Sequence, residues 1–308
     1  MPVKLFSGKV CENSSVCWPK FNVKSSKISI KMSVRRVAVV TGGNKGIGYE
    51  IVKALCSKFD GIVYLTARDE QRGLDACKKL VEEGCQNPPK FHQLDIESKE
   101  SIERLRDYIK AKYNGLDVLV NNAGFAYKKK STAPFNEVAE NTMRINFTGT
   151  LNVCRSLFPL LNPHARVVHV ASMAGTLSII RSESLRNELT RPNLTESELV
   201  ALVQEFVEGA KTGDHESKGW PMKGYAVTKL AINILTTIQA RDRPYDKDTD
   251  VLINSCCPGW CRTDMAGQSA SKSAAEGAET PVFLALIPPG QEQPHGKNYS
   301  ELKERSWK

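Results

Sequence analysis

Tyr225-Ala-Val-Thr-Lys229 sets a phenol and an ammonium four residues apart. On a helix that spacing puts both on one face. A free phenol titrates near ~10 and is a poor acid at neutral pH. A nearby ammonium favours the tyrosinate and lowers that value. Tyr225 is therefore a candidate proton donor to a carbonyl oxygen. Ser172 follows an apolar run, Arg166-Val-Val-His-Val-Ala171, and supplies a hydroxyl that can hydrogen-bond the same oxygen. Each feature alone has a plain structural reading, as a helix-surface pair or a turn cap; their combination with other motifs carries the argument.

The second chemical stretch is Val37-Ala-Val-Val-Thr-Gly-Gly-Asn-Lys-Gly-Ile-Gly48. A short β-branched run of this kind forms a buried strand. Gly42, Gly46 and Gly48 then allow a tight turn and a close backbone approach. Ile47, Ile51, Ala54 and Leu55 follow at helical spacing. A strand, a glycine turn and a helix N-terminus make a pyrophosphate cradle, with Asn44, Lys45 and Ile47 inside it. At the end of the next strand Arg68 stands where an acidic residue would bind a ribose hydroxyl, and Arg72 lies one turn on. Lys45 and Arg68 match a 2′-phosphate, which points to NADPH; Asp69 leaves NAD open.

These residues need a scaffold, and the pattern supplies it. Buried-strand runs occur at Ile62-Val-Tyr-Leu-Thr-Ala67, Phe91-His-Gln-Leu-Asp95, Leu116-Asp-Val-Leu-Val120, Arg166–Ala171 and Val251-Leu-Ile-Asn-Ser255. Helical patterns alternate with them: about 70–84, a face of Ile102, Leu105 and Ile109, a long stretch over 136–159, and a helix from near Tyr225. Strands alternating with helices predict an α/β, doubly wound parallel sheet of the Rossmann type. Ligands bind such sheets beyond the carboxyl ends of the strands. Lys45, Arg68, Asp95 (with Ile96), Asn122 in Asn121-Asn-Ala-Gly124, Ser172 and Cys257 all fall at or near those ends. Asp95 is placed to meet an adenine edge or to cap the next helix. Ala123 and Gly124 close the fourth strand, and twin asparagines there can bridge strands and cofactor.

Composition excludes other classes. The chain has 308 residues, 41% hydrophobic and 25% charged, enough for one large core, with no apolar run of membrane-spanning length. The formal charge of +9 is local. Six lysines and Arg35 against Glu12 alone give residues 1–35 a net +6, leaving +3 for the rest, so the body makes no case for nucleic acid. Residues 1–34 read as a basic, Ser-rich disordered leader, with Met32 as an alternative start and residues 35–308 as the domain. A mitochondrial presequence is the other reading, against which stands the absence of Arg before Arg35. Nine scattered cysteines without a Cys-x-x-Cys pair indicate a reducing, cytoplasmic setting and no zinc site. Cys56, Cys77 and Cys154 read as small apolar packing groups.

The ordered set of Thr41-Gly-Gly-Asn-Lys-Gly-Ile-Gly48, Asn121-Asn-Ala-Gly124, Asn146, Ser172, Tyr225-x-x-x-Lys229 and Pro258-Gly-Trp-Cys-Arg-Thr263 resembles the short-chain dehydrogenase/reductase family from about Arg35 to the C-terminus. Leu65-Thr-Ala-Arg-Asp69, Phe91-His-Gln-Leu-Asp-Ile96, Gly219-Trp-Pro221, Cys256-Cys-Pro-Gly-Trp260 and Gly277-Ala-Glu-Thr-Pro281 are similar to the animal NADPH-dependent carbonyl reductases. The resemblance implies a tetrad. Tyr225 is the acid, Lys229 holds the nicotinamide ribose and tunes Tyr225, Ser172 orients the carbonyl, and Asn146 supports a water-linked proton path. It also implies that Pro258, Gly259 and Thr263 contact the cofactor. Met173, Trp260 and Met265 are candidate substrate walls, and Cys257 is expected at the cleft rim, where the similar reductases accept glutathione conjugates. The gap between Ser172 and Tyr225 is longer than the family's usual one. The insert, about 176–218, carries a helical pattern over Glu196 to Ala210, and the similar reductases with such an insert are monomeric. A dedicated steroid, prostaglandin or secondary-alcohol dehydrogenase is the alternative reading within the family. A non-catalytic NADP(H)-binding sensor is the alternative outside it.

Overall fold

The computed structural model describes residues 35–128 and 130–308. The leader expected over 1–34 lies outside the described residues. In chain order the elements are β1 (Val37–Val40), α1 (Gly46–Lys58), β2 (Ile62–Ala67), α2 (Glu70–Glu82), β3 (Lys90–Gln93), α3 (Lys99–Tyr113), β4 (Leu116–Asn121) and α4 (Phe135–Thr142). Then come α5 (Thr150–Leu157), β5 (Leu161–Val170), α6 (Glu183–Thr190), α7 (Glu196–Thr212), α8 (Gly224–Asp242), β6 (Leu252–Cys257), α9 (Ala274–Ala285), β7 (Asn298–Ser300) and β8 (Lys303–Glu304).

One sheet runs in the order β3-β2-β1-β4-β5-β6-β7-β8. Every pair is parallel except β7–β8, which is antiparallel. The strand order reverses between β1 and β4, the crevice where doubly wound sheets bind ligands. Strand alternation divides the core. Ala38 and Val40 pack with α1 and α9, whereas Val37 and Val39 pack with α3 and α5. Burying both faces explains why these strands read as continuous apolar runs.

The helix expected over 136–159 is interrupted. Between α4 and α5 the chain forms a π-helical turn, Met143–Gly149. The apolar spacing continues across this wider turn, so periodicity alone did not reveal it. Packing supplies the reason: Asn146 sits in the turn with its side chain inward, 1% exposed, and Gly149 meets Ile96 so closely that a Cβ would lie 3.0 Å from that side chain.

The insert forms α6 and α7. Thr195 and Glu198 make a reciprocal capping box that starts α7, and Gly213 ends it in the left-handed region at φ 80°. Leu199, Leu202, Val203 and Phe206 share one core with Ala139 and Met143 and with Leu230, Ile234 and Leu235 of α8. The insert thus lies over the face made by α4 and α8.

Candidate active site

The glycine turn is held by contacts that admit no larger residue. A Cβ on Gly48 would lie 2.2 Å from the Gly42 carbonyl oxygen and 2.4 Å from Asn122 Nδ2. Gly42 itself has φ 64° and lies against the Ala123 backbone. The Asn122 side-chain amide donates to Thr41 O at 2.9 Å and Gly42 O at 3.0 Å. Thr41 Oγ1 accepts from Asn122 N at 3.0 Å and Ala123 N at 2.9 Å. Thus β4 fixes the turn that follows β1. Asn121 points the other way, into the core, where it donates to His169 Nδ1 at 3.2 Å.

The first turn of α1 contains no acidic residue, and no side chain caps its free N–H groups. With the glycine cradle, this fits a dinucleotide pyrophosphate, an anion drawn to a helix N-terminus. Thr263 closes over Gly46, at 3.1 Å from where a Cβ would stand. Pro258 follows β6, and Gly259 turns the chain at φ 86°.

Beyond the cradle, Asn44, Lys45 and Arg72 line one groove of about 670 Å³ between α1 and α2. Lys45 pairs with Asp264 at 2.8 Å, Arg72 with Asp69 at 3.8 Å, and Arg68 with Glu97 at 3.8 Å. The sequence paired Lys45 with Arg68; the structure sets Lys45 and Arg72 on the same wall and turns Arg68 toward Glu97. Asp95 does not cap α3, a task done by Ser98. Its carboxylate accepts from Glu97 N at 3.0 Å. Ile96 buries its side chain, 7% exposed, against Gly149.

The candidate reacting groups converge from two elements, the turn after β5 and α8. Ser172 follows β5, its hydroxyl accepts from Ala174 N at 3.1 Å, and it acts to hold the Tyr225 phenol down. Tyr225 and Lys229 share the first turns of α8, with Lys229 Nζ 5.7 Å from the Tyr225 ring centre. Gly175 explains the convergence. A Cβ there would lie 2.4 Å from the Leu230 nitrogen and the Lys229 carbonyl carbon, so only glycine lets the post-β5 turn touch α8. Asn233 Nδ2 donates to Gly175 O at 3.0 Å and locks that contact. Sequence reading missed Gly175 because an isolated glycine five residues past a strand looks like any turn.

The electrostatics correct one expectation. Lys229 does not pull the Tyr225 phenol down. Its Nζ donates to Val170 O at 2.7 Å. Burial pushes the Tyr225 phenol up to about 12, Cys257 adds to the rise, and the Ser172 hydrogen bond opposes it. Burial also lowers Lys229, to about 8. Desolvation is the largest cause for both groups, and at Lys229 it outweighs the opposing influence of Cys256 and Cys257.

Asn146 is also more committed than expected. Its Oδ1 accepts from Phe125 N at 2.7 Å, and its Nδ2 donates to Phe125 O at 2.9 Å and to Thr228 Oγ1 at 3.4 Å. The side chain clamps the post-β4 backbone to the π turn and α8. A water-linked proton path through this side chain would use the second lone pair of Oδ1. Gly124 lies between Asn146 and Lys229, its open face 3.3 Å from Asn146 Oδ1 and 3.8 Å from Lys229 Nζ.

Met173, Trp260 and Met265 are exposed apolar side chains, as a substrate wall requires. Met222, also exposed, was missed; its only signal was its position three residues before Tyr225. Cys257 was expected at the rim but is buried, 6% exposed, with its sulfur accepting from Gly259 N at 3.4 Å. Its influence on Tyr225 puts it in the same region below the rim. Cys256 faces the opposite layer with α9.

A family model described as short chain dehydrogenase matches residues 36–183. Carbonyl reductase [NADPH] 1 of Rattus norvegicus is 50% identical over 277 residues, covering 89% of this chain and 99% of that protein. The human protein of the same name is 50% identical over 273 residues, 88% of this chain and 98% of that one. Among solved structures, salutaridine reductase from Papaver somniferum matches with 33% identity and a TM-score of 0.77, over 86% of this chain and 99% of that one. Menthone neomenthol reductase from Mentha piperita matches with 32% identity and a TM-score of 0.72, over 86% of this chain and 98% of that one. With the sheet order, the glycine cradle and the Ser–Tyr–Lys convergence, these matches show that the chain belongs to the short chain dehydrogenase family.

Proposed function

We propose that the protein is an NADPH-dependent carbonyl reductase that converts aldehydes, ketones and quinones to alcohols. The observation that carries this reading is a desolvated phenol, held down by a serine hydroxyl and standing beside a buried lysine, at the end of β5 where a bound cofactor's reactive ring would lie. NADPH, when bound, supplies the hydride. Ser172 and Tyr225 orient the carbonyl oxygen, and Tyr225 gives it a proton. A phenol raised by burial stays protonated throughout the neutral range, which suits the reductive direction. Lys229 holds the nicotinamide ribose and replaces the Tyr225 proton, and Asn146 keeps the surrounding backbone in place.

NADPH specificity is assigned to Lys45, Arg68 and Arg72. A hydrogen bond to a charged group contributes ~1.5–3 kcal/mol, about tenfold to a hundredfold. Arg68→Asp is therefore expected to raise KM for NADPH about 10–100-fold more than KM for NADH. Steady-state oxidation of each cofactor, with a quinone and a diketone as substrates, measures this. An equal loss for both would remove Arg68 from 2′-phosphate recognition. No turnover of either substrate would overturn the reductase reading in favour of a binding protein.

The exposed Met173, Met222, Met265 and Trp260 support apolar carbonyl substrates of varied shape, since methionine adapts to irregular partners. Acceptance of glutathione conjugates rests on Cys257 lying near Tyr225. We assign the enzyme to the cytoplasm; no described helix is long and apolar enough to cross a membrane. The insert supports a monomer, because α7 already covers the α4 and α8 face with Leu199, Val203 and Phe206. Light scattering at micromolar concentration should give 34.1 kDa. A mass near twice that would show that another surface associates.

A further inference from the structure

Three phenols meet where the last turns of α3 pack on β2. Tyr108 and Tyr113 belong to α3, and Tyr64 stands in β2, in register with Lys90 at the start of β3. The fully buried Tyr64 has its hydroxyl 2.9 Å from the Tyr108 hydroxyl and 2.8 Å from that of Tyr113. Its ring meets both others edge-on, with centres 5.7 and 6.0 Å away. Lys112 Nζ donates to the Tyr108 oxygen at 2.8 Å, and Lys90 Nζ to the Tyr113 oxygen at 3.5 Å. Tyr108 is half-buried and Lys112 exposed, so the cluster opens to solvent at that end. It shares no residue with the glycine cradle or with the Ser172–Tyr225 pair.

The donors fix which way these hydrogen bonds run. A lysine ammonium only donates, and a phenol has one proton to give. Lys112 and Lys90 therefore load the two ends, and Tyr64 has a single proton for two neighbours. The closer ammonium is the one on Tyr108. The Tyr108 oxygen gathers the greater negative charge and draws the Tyr64 proton, while Tyr113 donates to Tyr64 in turn. Two donors thus converge on Tyr108, one of them a full positive charge. Burial raises the Tyr108 phenol, but the Lys112 and Tyr64 hydrogen bonds, with the Lys112 and Lys90 charges, outweigh it and leave the group below its ordinary value. Tyr64 moves the other way. Burial and both phenol partners push it up, so it keeps its proton for the hydrogen bond.

We propose that Tyr108 is a nucleophilic phenol, open to covalent modification by electrophiles that carry a leaving group on a sulfonyl sulfur. The attacking species is the phenolate, as for any activated hydroxyl nucleophile. The Tyr108 oxygen gives its proton to water, and two of its three lone pairs stay with Lys112 and Tyr64. The third attacks sulfur. An O–S bond forms, the bond from sulfur to the leaving group breaks, and the leaving group departs with that electron pair. Sulfur keeps its oxidation state. Lys112 has further N–H groups to hold the departing anion.

Benzenesulfonyl fluoride is the probe. Full-length protein is incubated with it at neutral pH, and adducts are located and timed by mass spectrometry of the digest. Tyr127 is the internal reference: it too is half-buried, but its hydroxyl donates to Glu137 Oε1 at 2.8 Å, and burial raises its phenol. Tyr108 should react about tenfold faster than Tyr127, as a hydrogen bond from a charged donor implies. Lys112→Met, a change on the exposed surface, should slow the Tyr108 adduct about tenfold. Tyr64→Phe keeps the ring and removes a neutral donor, so it should slow the adduct about threefold. Tyr108→Phe should lose the adduct. Thermal melting checks that each variant is folded. Labelling of Tyr108 no faster than of Tyr127, an adduct on Lys112 in its place, or an undiminished rate in Lys112→Met would overturn the proposal. Faster labelling of Tyr113 than of Tyr108, or an unchanged rate in folded Tyr64→Phe, would overturn the direction assigned to the hydrogen bonds.

Discussion

Tyr225→Phe is expected to lower kcat for carbonyl reduction by at least about 10²–10⁴-fold, the worth of a positioned general acid. The ring remains, so its packing is kept and NADPH affinity should change little. The structure sharpens this expectation. Burial pushes the phenol up to about 12, so it holds its proton throughout the neutral range and has it to give. Ser172 is no replacement, because an aliphatic hydroxyl is a far weaker acid than a phenol. Single-turnover reduction with cofactor binding followed separately by fluorescence gives the two quantities. Near-normal turnover in the Phe variant would remove Tyr225 from the reaction.

The second large effect separates activity from stability. Lys229→Met should lower kcat/KM by about 10²-fold or more, as loss of a preorganised charged donor does. The same change relieves a cost in the fold. Burial lowers Lys229 from 10.5 to about 8, so keeping it as an ammonium inside the protein costs on the order of 3 kcal/mol. The sign follows from proton binding. Below about pH 8 both folded and unfolded states carry the proton, and the folded protein bears the whole cost. Between about 8 and 10.5 the unfolded chain binds more protons, so wild-type stability rises with pH. Above 10.5 the cost is gone. Removing the ammonium also leaves Val170 O without its 2.7 Å donor, which offsets about 1–3 kcal/mol of the gain. The clean readout is therefore the pH dependence. Relative to the Met variant, wild type should gain on the order of 3 kcal/mol between pH 7 and 10.5, measured by denaturant unfolding. A pH-independent difference would mean that the lysine is not held as a desolvated ammonium.

These two residues also show how far the chain could be read directly. The shared helix face of Tyr225 and Lys229 was legible, because i, i+4 spacing fixes it. The strands were legible for a similar reason: burial on both faces leaves unbroken β-branched runs. The glycine turn was legible because only glycine tolerates φ 64° at Gly42 and the 2.2 Å approach at Gly48.

Side-chain direction and solvation were not local properties. The sequence set Lys229 to acidify Tyr225; tertiary packing instead aimed its Nζ at Val170 O and let desolvation raise the phenol. Asn146 was a helix residue with a motif role; the π turn made it a backbone clamp on Phe125. Periodicity and turn chemistry, recorded residue by residue, determined the fold class, the cradle and the candidates for the reacting groups. Which way those groups point, and how much water reaches them, depended on contacts between residues far apart in the chain, and only the tertiary structure decided it.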